Sequence, residues 1–459
     1  MNRLDHISFN QFNTAYFIGI GGIGMSALAR YFKSLGWQVS GYDKTSTSLT
    51  NELISEGIQI HFEDLGELAI SSLKDIHRTI FIYTPAIPKT HKELSCIRDK
   101  GLTIYKRSEV LGLITRQSKS LGVAGTHGKT TTSSMLAHVL HQSSRPCDAF
   151  LGGIATNFNS NLLIGNESEF TVVEADEFDR SFLQLKTFAS IVTSTDADHL
   201  DIYGDSNHFI EGFQQYTRLI DSEGCLVKRE GLDIHSTAKT ITYALNSSSA
   251  DYSVSNLRMH AGRFYMDVRT PKAIWSEVEL GIPGIHNAEN ALACIALLEF
   301  LSVSEIEIRN GLSSFLGVKR RFEYHIRKEK LIYIDDYAHH PTEINALVSS
   351  IRLLYPDMKI TGIFQPHLFS RTRDFFDGFA EELSKLDSVI LMPIYFAREL
   401  PIKGVTSEAL LEAISLNSKK LLFPEEIIES FDNYFEGVVL TIGAGDIDRI
   451  VEPLKKKLS

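Results

Sequence analysis

The stretch Gly122-Val-Ala-Gly-Thr-His-Gly-Lys-Thr-Thr-Thr132 decides how this chain is read. Leu121 to Ala124 form a short apolar run, Gly125 to Gly128 a tight turn, and Thr130 to Gln142 an apolar-periodic helix. That is the strand-turn-helix layout of a phosphate-binding loop. Its glycines let backbone N–H groups close on phosphate oxygens, and the helix N-terminus adds positive potential. Lys129 supplies a neutralising charge and Thr130 a hydroxyl able to ligate Mg²⁺. The spacing departs from the usual G-x-x-x-x-G-K-[ST], because position 123 is Val and the first glycine of the turn is Gly125. The flanking strand and helix, more than the glycines, set it apart from a chance Gly-Lys-Thr in a solvated turn.

Upstream, Ala15 to Ile20 read as a strand running into Gly19-Ile-Gly-Gly-Ile-Gly24, with Met25 to Leu35 following as a helix. This is G-x-G-x-x-G in the context a dinucleotide or nucleotide-diphosphate site needs. A glycine turn that only permits close helix-sheet packing is the simpler alternative. Gln38 to Tyr42 form the next strand, and Asp43 ends it where an acidic residue meets a ribose or base. Strands follow at Thr79 to Thr84, ended by Pro85-Ala-Ile-Pro88, and at Leu102 to Tyr105, followed by Lys106 and Arg107.

A chain of 459 residues is long for one core, and about 150 residues per domain predicts three. No window approaches the ~18 apolar residues of a membrane span, and the polar opening, Met1 to Asn13, lacks the apolar core of a secretory signal. A cytoplasmic location and no membrane insertion are expected. The cysteines at 96, 147, 225 and 294 are too dispersed for a Cys-x-x-Cys site and read as core thiols. A net charge of −11 argues against nucleic-acid binding, so an anionic ligand must be held locally.

Downstream, polar residues collect at strand ends, where α/β sheets bind ligands. Phe170 to Val173 end in Glu174-Ala-Asp-Glu-Phe-Asp179, and Ser190 to Ser194 end in Thr195-Asp-Ala-Asp-His-Leu-Asp201. Glu174 and His199 are candidate groups beside a metal-bound nucleotide, whereas Asp176, Glu177 and Asp179 read equally well as a solvated turn. Residues 225 to 280 suggest a small β element appended to this domain. Asn287 and Asn290 share a face and can read a base edge, with helix capping by Asn287 as the rival reading; Ala291 to Leu301 are the expected helix. Arg320 and Arg321 are cations able to meet a triphosphate or an acid. The last region places Asp335-Asp-Tyr-Ala-His-His340, Gln365-Pro-His-Leu-Phe-Ser-Arg371 and Gly443-Ala-Gly-Asp446 after apolar strands.

Together these segments resemble the Mur ligase family, the ATP-dependent amide-forming ligases of peptidoglycan precursor synthesis. The likeness covers nearly the whole chain and rests on eight motifs in order: Gly19 to Leu28, Gly125 to Thr132, Glu174 to Phe182, Asp196 to Asp201, His286 to Asn290, Lys319 to Phe322, Asp335 to Glu343 and Ala397 to Ser407. It implies an α/β protein of three domains: a Rossmann-like UDP-sugar domain (1–117), a central P-loop ATPase-like domain (118–322) and a Rossmann-like amino-acid domain (323–459). It implies that Gly19, Gly21, Gly22, Ile23 and Gly24 hold a UDP-sugar diphosphate, with Asp43, Thr84 and Arg107 around the nucleotide. ATP would lie on Gly125, Thr126, Gly128, Lys129, Thr130 and Thr131, with Asn287 and Asn290 at adenine, Arg321 at the phosphates and Asp336 at the ribose. Thr130, Glu174 and His199 would hold Mg²⁺. Tyr337, His339 and Arg371 would hold the amino acid, and Lys129, His199 and His339 would be catalytic.

The implied substrates are UDP-N-acetylmuramate and L-alanine, in a monomer or homodimer. A tripeptide-recycling murein peptide ligase is the alternative, and a nicotinamide-dependent oxidoreductase would leave Lys129 unused. Two positions stand out. Leu368 follows His367 where relatives often carry a basic residue, and no lysine lies between His199 and Lys228 to be carboxylated.

Overall fold

The computed structural model describes residues 9–196, 200–260, 263–397 and 399–459. Three sheets are distributed over two compact units. The first unit runs to Leu257 and takes in Met266–Leu280 and Glu289–Leu316; the second comprises Arg258–Tyr265, Gly281–Ala288 and Gly317–Ser459.

In the first sheet the strands Gln59–His61, Gln38–Tyr42, Thr14–Ile18, Thr79–Tyr83 and Ile104–Lys106 lie in that spatial order, every pair parallel. All five residues of the central strand, Thr14–Ile18, are buried, as a parallel strand covered on both faces requires. Strand order reverses between Thr14–Ile18 and Thr79–Tyr83, which opens a crevice beyond their C-terminal ends. Gly19 and Thr84 are the first residues past those ends.

The second sheet has ten strands. Lys119–Ala124 lies near its middle, flanked in parallel by Ala189–Val192 and Phe170–Glu174. Register pairs Val123 with Glu174 and Ala124 with Val192, so Gly125, Glu174 and Thr193 emerge at neighbouring strand ends. The segment expected as an appended β element instead continues this sheet. Cys225–Arg229 pairs in parallel with Ala189–Val192, and Lys239–Leu245, Tyr252–His260, Arg263–Arg269 and Ile274–Leu280 extend the sheet outward. The reason is visible in the buried opening residues of Cys225–Arg229, an interior strand rather than the start of a separate layer.

The third sheet orders Glu323–Arg327, Leu331–Asp336, Gly437–Ile442, Ile360–Phe364, Ser388–Leu391 and Lys419–Leu421, all parallel except the first. Its central strands, Leu331–Asp336 and Gly437–Ile442, are buried throughout. Asp336, Ile442 and Phe364 stand level in register, so the polar segments after them gather at one edge. Most expected strands and helices are present within one or two residues of their predicted ends. The main exception is the helix expected from Ala291, which spans Ile285–Phe300. Pro283 and Gly284 place its start ahead of the two asparagines, so both are helical and Asn287 is not a cap. No helix among the described residues is long and apolar enough to cross a membrane.

Candidate active site

The first glycine loop is built around Gly19, which turns out of the strand with φ 89° and donates its N–H to the Tyr42 carbonyl at 2.8 Å. The helix Ile23–Ser34 starts after Gly22 without a side-chain cap, so its first turn suits an external anion. Thr84 packs against Gly19, and Arg107 lies over Gly24, where an added Cβ would come within 2.8 Å of Nη1. Asp43 accepts the Gly21 N–H at 2.7 Å, so its carboxylate already organises the loop. The expected residues Gly19, Gly21, Gly22, Ile23, Gly24, Asp43, Thr84 and Arg107 thus share one crevice. Asn161, fully buried and carrying no signal in the sequence, reaches across from the second sheet. Its Nδ2 donates to the Ile23 carbonyl at 2.6 Å and to Ser26 Oγ at 2.8 Å.

The second loop differs in carrying its own cation. Gly125 and Gly128 have φ of 135° and 79°, conformations that disfavour a side chain. A Cβ on Gly128 would meet Asn290 Oδ1 at 2.8 Å, which places Asn290 against the loop. Lys129 opens the helix Lys129–Gln142 and folds back: Nζ donates to the Gly125 carbonyl at 2.6 Å and to Glu177 at 2.8 Å. Both side chains of this pair are nearly buried, at 14% and 2% exposure. Burial works against the Lys129 charge, but the Glu177, Asp176 and Glu174 carboxylates outweigh it and hold the ammonium above its usual range. Burial pushes Glu177 up to about 7, with Lys129 pulling the other way. Thr126 donates through Oγ1 to the Asp196 carbonyl at 2.6 Å, and Thr130 and Thr131 occupy the first helical turn. His199 lies outside the described residues.

Between the loops runs Glu174-Ala-Asp-Glu-Phe-Asp-Arg180. Asp176 bonds Arg107 at 3.3 Å and Asp179 bonds Lys106 at 2.7 Å. Asp179 and Arg180 both adopt φ 53°, which reverses the chain inside the Phe178–Gln184 turn. A small cleft beside it is lined by Arg107, Ser108, Glu174, Asp176, Ser181 and Phe182, among others. Arg107, which overlies the first loop, and Glu174, at the strand end beside the second, therefore face one space.

In the second unit Asp336 accepts the Phe322 N–H at 2.7 Å and the Ala338 N–H at 2.8 Å, while burial raises it to about 6. Arg321 lies 3.8 Å from Glu343 and over the Tyr337 ring at 4.8 Å. Asn287 donates to the Pro283 carbonyl. Tyr337 and His339 meet edge to face at 5.3 Å. His339 Nδ1 is 2.9 Å from the Tyr337 carbonyl, which can only accept; Nδ1 therefore carries the proton and Nε2 the free lone pair. Burial holds this imidazole down at about 4. Arg371 Nη1 reaches His367 Nδ1 at 3.3 Å, and His367 stacks on Tyr395 at 5.6 Å. Neither His367 nor Tyr395 was among the residues expected at the site; their positions after the ends of adjacent strands were the available signal.

Two glycine loops at the ends of parallel strands, joined by the carboxylate-rich segment between them, and a strand-end cluster in the second unit are the geometry of this class of α/β enzyme, and the chain belongs to the Mur ligase family. Its middle-domain model matches residues 123–298, its catalytic-domain model 14–119 and its glutamate-ligase-domain model 320–447. Among curated relatives, the UDP-N-acetylmuramate–L-alanine ligase of Flavobacterium johnsoniae is 48% identical over 453 residues, covering 99% of each chain. Among solved structures, the UDP-N-acetylmuramate-alanine ligase of Thermotoga maritima superposes with TM-score 0.83 at 27% identity, covering 96% of this chain and 98% of the other. A murein peptide ligase from Psychrobacter arcticus shares the fold, with TM-score 0.71 at 23% identity over 97% and 98%.

Proposed function

We propose that this chain joins L-alanine to the lactyl carboxylate of UDP-N-acetylmuramate, using ATP, in the cytoplasm. The observation that carries the reading is the small cleft on which Arg107, overlying the first loop, and Glu174, beside the second, converge. Gly19 to Gly24 hold the sugar-nucleotide diphosphate, with Asp43, Thr84 and Arg107 around it. Gly125 to Thr131 cradle the ATP phosphates, Asn287 and Asn290 contact adenine, Arg321 the phosphates, and Asp336 the ribose.

The lactyl carboxylate attacks the γ-phosphorus, a P–O bond forms as ADP leaves, and an acyl phosphate results. Both reactants are anions, so the step depends on charge neutralisation, to which the buried Lys129 ammonium contributes. Thr130, in the first turn after the loop, and Glu174, at the end of the adjacent strand, offer hard oxygen donors of the kind that suit Mg²⁺, with His199 as a further proposed ligand. Bound there, the ion would offset charge on the transferring phosphoryl group. The neutral amine of alanine then attacks the carbonyl carbon, inorganic phosphate departs with the former carboxylate oxygen, and the amine loses its proton. Arg371 pairs with the alanine carboxylate beside Tyr337. His339 presents Nε2 to the amine, sharing with His199 the proposed role of proton acceptor.

The test supplies the purified protein with UDP-N-acetylmuramate, Mg-ATP and one of alanine, glycine, serine or the L-Ala-γ-D-Glu-diaminopimelate tripeptide, and follows ADP and product mass. Alanine should give the highest kcat/KM. Preference for the tripeptide would reassign the chain to the recycling reaction, and ADP release without amide would remove the ligase reading.

A further inference from the structure

The segment Asp176–Arg180 touches Lys129 of the second glycine loop and the cations Lys106 and Arg107 beside the first, and its contacts fall into two kinds. Lys129 and Glu177 form a buried pair, and Tyr203 further fixes Glu177 by donating its hydroxyl to the Glu177 carbonyl at 2.7 Å. Removing one member of such a pair strands a charge, so it holds its geometry. Arg107–Asp176 and Lys106–Asp179 are partly open, with side-chain exposures of 21% and 36%, and 40% and 35%. Pairs of that kind contribute little and exchange partners readily. A diphosphate on the first loop competes with Asp176 for Arg107, which already overlies Gly24.

Asp176 and Glu177 are adjacent in the chain, and the Phe178 N–H donates to Asp176 Oδ1 at 3.0 Å, which closes the turn across Glu177. Just beyond, Asp179 and Arg180 hold two consecutive left-handed conformations, costly for residues other than glycine and kept only while surrounding contacts maintain them. Arg180 is pinned over the Tyr203 ring at 5.1 Å, the same tyrosine that holds Glu177. A change on the Arg107 side therefore has a short mechanical route to the Glu177 carboxylate that positions Lys129.

We infer that Asp176 and Asp179 are positioning residues that couple the two substrate sites: they neutralise Arg107 and Lys106 while the first loop is empty, and their release on sugar-nucleotide binding resets the Glu177–Lys129 pair for ATP. This rests on the proposed assignment of one loop to the sugar nucleotide and the other to ATP. Coupling of this kind is reciprocal, so each ligand tightens the other by the same factor.

The test measures UDP-N-acetylmuramate binding by titration calorimetry, with and without saturating Mg²⁺ and a non-hydrolysable ATP analogue. The wild-type protein should bind the sugar nucleotide about fivefold tighter or more with the analogue present. In the Asp176→Asn/Asp179→Asn double variant the sugar nucleotide should bind more tightly alone, and the factor should fall to about one. Lys106→Met, which removes a partner from the opposite side, should also reduce the factor. An undiminished factor in both variants overturns the inference. Wild-type binding of both ligands with no coupling overturns it and leaves the loop assignments intact, whereas no binding of the sugar nucleotide overturns both.

Discussion

The two glycine loops look alike as sequence, each a strand, a glycine turn and a helix, yet they solve the problem of an anionic guest differently. Gly19–Gly24 contains no basic residue and borrows Arg107 from the start of another helix. Gly125–Lys129 carries its own ammonium, buried and held by Glu177. The supporting helices differ too. Ile23–Ser34 keeps an exposed face, whereas every residue from Thr130 to Leu140 is buried. A glycine turn makes a cradle for phosphate; where the charge comes from decides whether the loop only binds its anion or also drives chemistry on it.

The largest effect should come from the loop with the built-in charge. Lys129→Ala is expected to lower kcat by about 10³-fold while leaving UDP-N-acetylmuramate binding within a few-fold of wild type, as stopped assays and calorimetry would show. Equal damage to both quantities would erase the distinction between the loops. Arg107→Ala should act in the opposite sense, raising the KM for the sugar nucleotide about 10- to 100-fold, the worth of one charge-assisted contact, with a smaller change in kcat.

A smaller effect concerns the fully buried helix behind the second loop. His138 lies there with Nε2 3.0 Å from Ser314 Oγ, and burial depresses it to about 4. The unfolded chain takes up that proton near pH 6.5, the folded chain only near 4. The associated stability is present in full above about 6.5 and is lost as pH falls toward 4, amounting to about 3 kcal/mol. His138→Leu should therefore flatten the decline in Tm between about pH 6.5 and pH 4.5, read by circular dichroism melts. An unchanged slope would place the acid-labile group elsewhere.

Both loops are legible in the sequence, because a change from a short apolar run to helical periodicity across glycines is a local signal. So are the strand-end positions of Glu174, Asp336, His339 and Arg371. The Lys129–Glu177 pair is not. Its geometry depends on a 3₁₀ turn with Asp179 and Arg180 at φ 53°, which has neither helical nor strand periodicity, so Glu177 reads as well as a solvated acid. Asn161 leaves no trace for a related reason: it belongs to the second sheet and acts on the first loop's helix, 135 residues away from Ser26 in sequence. The continuation of the central sheet through Cys225–Arg229 is hidden because parallel pairing with Ala189–Val192 leaves no turn signature between them.

The most direct measurement follows one oxygen atom. UDP-N-acetylmuramate labelled with ¹⁸O in the lactyl carboxylate is turned over with Mg-ATP and L-alanine, and the inorganic phosphate is analysed by mass spectrometry. Transfer of phosphate from the Lys129 loop to an acid presented by the Gly19 loop predicts one ¹⁸O in each phosphate released. Phosphate free of label, with amide product formed, would contradict it.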